Sequence, residues 1–285
     1  MITLSSDFGW PYPAAMKGVI LQQTDARLVD ITHEFPRQDV EASAFWLREV
    51  LPYFPPAVHL VVVDPGVGTD RAAVVVRAGE HVLVGPDNGV LLPVARELAR
   101  QAGQTGQGST PAPERGDESG IEVFRVAEQS GSAGRPTPAD DWPPAPASST
   151  FHGRDVFAPA AARVHRLGVD RFHEDPGFRP VASFVDCSFP AATVDSDGAT
   201  GEVLVVDEFG NAITNIPGRV AAERYGTDIR VDGESAPVRE TYARCDPGQR
   251  LVTVGSHGNI ELAVTRGRGE EAFGVDPGDD VRFSW

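Results

Sequence analysis

The stretch Val61-Val62-Val63-Asp64-Pro65-Gly66-Val67-Gly68-Thr69-Asp70-Arg71 sets a carboxylate and a guanidinium seven residues apart. Three consecutive β-branched residues read as a buried strand. Pro65 and two glycines cannot continue it, so Asp64 is left where a strand ends and a tight loop begins. In open α/β sheets that edge is where ligands sit. Arg71 opens the next apolar run, Ala72 to Val76. If that run is a second strand, the loop folds back and the two charges face each other. Taken alone, the stretch is equally well an ordinary turn carrying a surface ion pair.

Other polar residues stand at similar places. Ile2 to Ser6 followed by Asp7-Phe8-Gly9 is a second strand ending in a carboxylate. His152, in Ser149-Thr150-Phe151-His152-Gly153-Arg154-Asp155, lies just before a helical run, where its ring can meet a ligand or simply cap and pack. Asp207-Glu208-Phe209-Gly210-Asn211 closes another strand with a carboxylate, an aromatic ring and a carboxamide, and Gly255-Ser256-His257-Gly258-Asn259 is a polar turn between two apolar runs. Each is an ordinary turn by composition.

The elements that must hold these residues follow from periodicity. Met16 to Leu21, Asp39 to Leu51, Val90 to Arg100 and Val156 to Leu167 have helical character. They alternate with the strand-like runs Leu28 to Ile31, Val58 to Val63, Ala72 to Val76 and Val82 to Val84. Alternation of this kind predicts an α/β N-terminal domain with a mostly parallel sheet over residues 1–170. Residues 101–148 interrupt it with Gly, Pro, Ser, Gln and acidic residues and read as an exposed insertion around one strand, Ile121 to Ala127. Gly and Pro recur over 171–190, read as a linker. From 191 to 285 the runs are short and β-rich, which predicts a smaller all-β barrel.

At 285 residues, 41% hydrophobic, the chain is long enough for one large domain or two ordinary ones. No apolar run reaches membrane-span length. No basic region precedes Ile2-Thr3-Leu4, so no signal peptide is read and the cytoplasm is the expected compartment. The net charge is −16 and Lys17 is the only lysine. An acidic, lysine-poor surface argues against nucleic acid or anionic membrane as partner and resembles surfaces adapted to concentrated salt. Cys187 and Cys245 form no CxxC pair, and no HxxxH or HxH spacing offers a metal site. There is no GxGxxG after a strand and no Walker motif.

Nine pieces in order resemble the S-adenosylmethionine hydrolases (SAM hydroxide adenosyltransferases), the family that also includes fluorinase and chlorinase. They are Ser6-Asp7-Phe8-Gly9, Met16-Lys17-Gly18, Asp30-Ile31-Thr32-His33-Glu34, Gln38-Asp39-Val40, Asp64-Pro65-Gly66-Val67-Gly68, Gly85-Pro86-Asp87-Asn88-Gly89, Ser149 to Asp155, Phe209-Gly210-Asn211 and Gly255-Ser256. The resemblance implies a homotrimer, each active site lying between one subunit's N-terminal domain and the next subunit's C-terminal domain. It implies attack of water or hydroxide on C5′ of S-adenosylmethionine, giving adenosine and methionine, with no cofactor and no metal. It assigns Asp64, Arg71 and His152 to the attacking water. Asp7 falls to the ribose hydroxyls, Phe209 and Asn211 to adenine, Ser256 with Asp207 to the methionine amino-acid group, and the backbone near Arg266 to adenine.

The loop Trp10-Pro11-Tyr12-Pro13 is shorter than the family's and lacks the Asp commonly found there. Two other readings stand beside the hydrolase: a chlorinase-like halogenase and a non-catalytic adenosine or S-adenosylmethionine binder. Asp64 disfavours the halogenase, because a carboxylate about 4 Å from a halide in a dry site repels it by several kcal/mol.

Overall fold

The computed structural model describes residues 1–104, 120–127, 142 and 147–285, so most of the insertion predicted over 101–148 lies outside the described residues. The chain divides into two compact units, Met1–Ser188 and Phe189–Trp285. Among the described residues no helix is long and apolar enough to cross a membrane.

The first unit is built on seven strands: β1 (Ile2–Ser6), β2 (Leu28–Thr32), β3 (Val58–Val62), β4 (Ala73–Ala78), β5 (His81–Pro86), β6 (Ile121–Val126) and β7 (Phe178–Pro180). Their order is β2-β1-β3-β5-β4-β6-β7. The pairings β1/β2, β1/β3 and β3/β5 are parallel, whereas β4/β5, β4/β6 and β6/β7 are antiparallel. The sheet is therefore mixed rather than mostly parallel. The cause is local: only Gly79 and Glu80 separate β4 from β5, and a two-residue connection makes a hairpin, never a crossover. Gly79 has φ +58°, and a Cβ there would sit 2.8 Å from that of Ala102. The stretch 171–190, read from composition as a linker, carries β7, which pairs with β6 inside this unit, and the unit runs to Ser188.

The crossovers of the parallel half run through helices α1 (Tyr12–Leu21) and α2 (Val40–Val50), followed along the chain by α3 (Leu92–Gln104) and α4 (Ala158–Leu167). Asp39 fixes the start of α2, its carboxylate accepting the Ala42 N–H at 2.9 Å. Four small residues of α4, Ala158, Ala160, Ala161 and Ala162, are buried against the sheet with Leu4, Leu60, Val62 and Val84. β1 has β2 on one side and β3 on the other. The chain thus reverses direction across the sheet at the β1/β3 boundary. A crevice opens at such a switch point, beyond the carboxyl ends of the strands. Asp7 follows β1 and Asp64 lies just beyond β3, in register through Ser6 opposite Val62.

The second unit holds β8 (Thr193–Val194), β9 (Gly198–Val206), β10 (Ala212–Pro217), β11 (Asp228–Val231), β12 (Glu234–Pro237), β13 (Arg250–Val254), β14 (Asn259–Val264) and β15 (Asp280–Ser284). The order β12-β11-β15-β9-β10-β14-β13 is antiparallel throughout, with β8 paired to β9. A bridge between Val238 and Val252 brings the two ends together, so the sheet is a nearly closed barrel. Inward positions alternate along β9, and Val203, Ile216, Val231, Val252, Leu262 and Phe283 fill the interior.

Candidate active site

Asp64 and Arg71 meet across their loop. Arg71 Nε donates to Asp64 Oδ1 at 2.7 Å, and Nη2 donates to Oδ2. This is a two-pronged fork between planar groups, both side chains at most 10% exposed. The loop is held from within and without. Thr69 Oγ1 donates to the Gly66 carbonyl at 2.7 Å, and Gly68, at φ +80°, lies so close to Ser149 that a Cβ would sit 2.7 Å from its carbonyl oxygen. Asn88 braces the end of β3 by donating to the Val63 carbonyl at 2.9 Å.

The segment that touches Gly68 also carries His152. Its Nδ1 lies 3.0 Å from Arg71 Nη2. A guanidinium only donates, so Nδ1 is the acceptor and the ring proton resides on Nε2. Three side chains from 64, 71 and 152 thereby form one chain, carboxylate to guanidinium to imidazole, and His152 is 8% exposed. The Arg71 guanidinium also lies over the Phe157 ring, 4.8 Å from its centroid.

Asp7 is buried, and its Oδ2 accepts the backbone N–H of Gln38 at 2.7 Å. Gln38 reaches it in a left-handed conformation, φ +61°. Behind it runs a polar chain: Ser6 Oγ to His33 Nδ1 at 2.7 Å, His33 Nε2 to Asp30 at 3.0 Å, and Lys17 Nζ donating to Asp30 at 2.5 Å. Burial pushes the Asp30 carboxyl up, but hydrogen bonds from Lys17 and His33 outweigh it and hold the group below the usual carboxylate range. Among the described residues no three His, Cys, Asp or Glu side chains gather as a metal-ligand set.

In the second unit Asp207 and Asn211 form a closed pair: Asp207 accepts both the Asn211 backbone N–H and its side-chain Nδ2, each at 2.8 Å. Gly210, at φ +86°, makes this tight turn, and Phe209 stands 81% exposed at its tip. Arg266 is exposed, with φ +58°. Ser256 is exposed in the turn between β13 and β14. Pairing of Ala212 with Leu262 and of Pro217 with Asn259 puts the Asp207–Asn211 turn at one end of β14 and the Ser256 turn at the other. Between these ends, Glu261 accepts from Tyr242 Oη at 3.0 Å and lies 3.0 Å from His257 Nε2. Burial, then the Glu261 and Asp207 carboxylates, push the Tyr242 phenol up.

Sequence reasoning did not find Gln38 or Phe157 as parts of this architecture. Both lie in or beside the matched motifs, yet a backbone N–H donor and a ring used for its face leave no mark in residue type.

Comparison with known proteins covers nearly the whole chain. The family model described as the SAM hydroxide adenosyltransferase N-terminal domain matches residues 2–172, and that of the C-terminal domain matches residues 201–282. A protein of Salinispora tropica named (R)-S-adenosyl-L-methionine hydrolase is 37% identical, covering 99% of this chain and 97% of its own length. A Thermus thermophilus protein of the same name is 38% identical over 98% and 97%. A crystal structure of an uncharacterized conserved protein from Thermotoga maritima aligns over all of both chains with TM-score 0.75 and 29% identity. One of a conserved hypothetical protein from Thermus thermophilus aligns over 99% and 98%, with TM-score 0.67 and 33% identity.

Proposed function

The chain belongs to the SAM hydroxide adenosyltransferase family along both of its units, and on that premise we propose that the Asp64–Arg71–His152 constellation is where it hydrolyses its substrate. The enzyme converts S-adenosyl-L-methionine and water into adenosine and L-methionine. The water oxygen forms a bond to C5′ while the C5′–S bond breaks. The bonding pair goes to sulfur, which leaves as the neutral thioether of methionine, and one proton is released. A sulfonium needs no acid to depart, so the barrier lies in presenting the nucleophile.

The observation that carries the assignment is the continuous contact of Asp64, Arg71 and His152 at the sheet's switch point. On this reading their roles also divide. With Nδ1 of His152 accepting from Arg71, the neutral imidazole has no lone pair left to take a proton, so Asp64 takes it and His152 helps orient the water. Each Asp64 oxygen keeps a lone pair beyond the one given to Arg71. The proton is transferred as C–O bond formation makes the water acidic. Holding the water in line behind C5′ supplies the larger part of the rate.

The remaining roles extend the same reading. Asp7 takes the ribose hydroxyls through the oxygen that Gln38 does not hold. Phe209, Asn211 and the backbone near Arg266 meet adenine, and Ser256 and Asp207 meet the amino-acid end. The working form is a homotrimer, each site joining the first unit of one subunit to the second unit of the next, in a cytoplasm of high ionic strength. No cofactor takes part. Incubation with S-adenosylmethionine and chromatography of the products tests the activity. Adenosine is expected, and turnover at the wild-type rate by Asp64→Ala would overturn the site. In concentrated chloride, 5′-chloro-5′-deoxyadenosine is expected to be absent.

A further inference from the structure

We propose that Asp155 and Phe157 are positioning residues which, through an unusual helical turn, hold His152 Nδ1 against the Arg71 guanidinium. The inference rests on the reading that this contact serves the reaction. The starting observation is the π-helical turn Gly153–Phe157 between His152 and α4, in which the Ala158 N–H donates to the Gly153 carbonyl five residues back. In an α-helix, five residues rotate about 500°, so residues 152 and 157 would point about 140° apart around the axis. A five-residue hydrogen-bonded turn brings them back onto one face. That face meets Arg71, which touches His152 Nδ1 at 3.0 Å and lies over the Phe157 ring at 4.8 Å. The turn lets one segment offer Arg71 both an edge acceptor and an aromatic floor. A fully buried ring under a guanidinium keeps its plane fixed, and with it the direction of the N–H bonds to Asp64 and His152.

A wider turn sacrifices regular hydrogen bonding, so something must hold it, and Asp155 has the geometry to do so. Its carboxylate is fully buried. Oδ1 accepts Arg154 Nε at 2.6 Å, and Oδ2 accepts Arg154 Nη2 at 3.0 Å and the Ser148 backbone N–H at 2.9 Å. Arg154 in turn lies over the Phe151 ring at 5.2 Å. Residues 148, 151, 154 and 155 thus close a buckle with His152 inside it. Gly153 lets the buckle approach α1, since a Cβ there would lie 2.9 Å from Met16 Sδ. Neither Asp155 nor Phe157 is assigned a contact with substrate. They act through the placement of the two groups that have one.

The test uses full-length protein carrying Asp155→Asn or Phe157→Leu, with melting temperature as a check on folding. Asn keeps the size and can still accept the Ser148 N–H but cannot take the Arg154 fork. Leu keeps the apolar volume but has no ring face. Two readouts are taken: kcat and KM for S-adenosylmethionine, and the Nδ1 resonance of His152 in protein labelled with ¹⁵N-histidine, assigned with His152→Gln. In each variant kcat is expected to fall by about tenfold or more with KM changed less than about threefold, the pattern of lost alignment rather than lost binding. The Nδ1 resonance is expected to shift toward that of an imidazole without the Arg71 hydrogen bond. A folded variant with unchanged kcat, or with reduced kcat and an unmoved Nδ1 resonance, overturns the proposal. The resonance needs no substrate, so it decides the positioning role even if wild-type protein released no adenosine, a result that would instead refute the hydrolase reading. If one variant does not fold, the other decides.

Discussion

Arg71→Lys separates charge from geometry at the site. The substitution keeps one positive charge beside Asp64 but replaces a planar fork with a single point donor. In the native protein the guanidinium reaches Asp64 Oδ1 through Nε at 2.7 Å, Asp64 Oδ2 and His152 Nδ1 through Nη2, and rests over Phe157. An ammonium at one point cannot serve the two Asp64 oxygens in a fork and the imidazole together. At least one charge-assisted bond to Asp64 and the one to His152 are lost or lengthened. Such bonds are worth about 1.5–3 kcal/mol each, and both carboxylate and guanidinium are too buried for water to replace them fully. A combined loss of about 3 kcal/mol in the transition state corresponds to a kcat reduction somewhat over 100-fold, at about 1.4 kcal/mol per factor of ten. Initial rates of adenosine release under saturating S-adenosylmethionine measure it, with melting temperature recorded in parallel. A folded Arg71→Lys enzyme within about threefold of wild type would refute the reasoning, because charge alone would then suffice.

Three further outcomes follow. For the proposed trimer with shared sites, mixing inactive Asp64→Ala and Asn211→Ala subunits under exchange conditions is expected to restore activity to about one quarter of wild type, because random mixing would give one site in four two intact halves; no recovery would refute the proposal of a site shared between subunits. His59 is fully buried between Thr3 and His81, and burial, reinforced by His81, holds its imidazole down at about 3. Between about pH 6.5 and 3 the unfolded chain therefore binds a proton that the folded chain does not, so stability falls as pH drops, by about 1.4 kcal/mol per unit for this one group. Urea unfolding at pH 7 and pH 4.5 is expected to show a smaller difference in His59→Gln, and an equal difference would contradict the assignment. With a net charge of −16, the melting temperature is expected to rise with added potassium chloride, and a protein most stable without salt would refute the high-salt reading.

Much of this arrangement is legible in residue order because strand ends announce themselves. Val61-Val62-Val63 stopped by Pro65 and two glycines, and Ile2 to Ser6 stopped at Gly9, place two carboxylates at the same sheet edge, where β1 and β3 lie side by side. Asp39 before an amphipathic run marks the α2 start through its cap. The antiparallel half of the sheet was less visible. Alternation of strands and helices suggests crossovers everywhere, and the hairpin hangs on two residues, Gly79 and Glu80, between runs that are apolar on both faces. The π-helical turn has no compositional signature, since its hydrogen bonds differ from those of an α-helix by one residue and its cause lies in the Asp155 buckle and in Arg71, 81 residues before His152. In the second unit, local composition shows turns at Asp207 and Ser256 but not that the register of β10 on β14 sets them at opposite ends of one strand.

The measurement that bears most directly on the chemistry is turnover in water enriched in ¹⁸O, with both products analysed by mass spectrometry. Adenosine carrying one ¹⁸O at O5′ and methionine carrying none is the expected result, since the bond formed is water oxygen to C5′. Label in methionine, unlabelled adenosine, or a nucleoside bearing any substituent other than hydroxyl at C5′ would contradict attack by a water held at Asp64, Arg71 and His152.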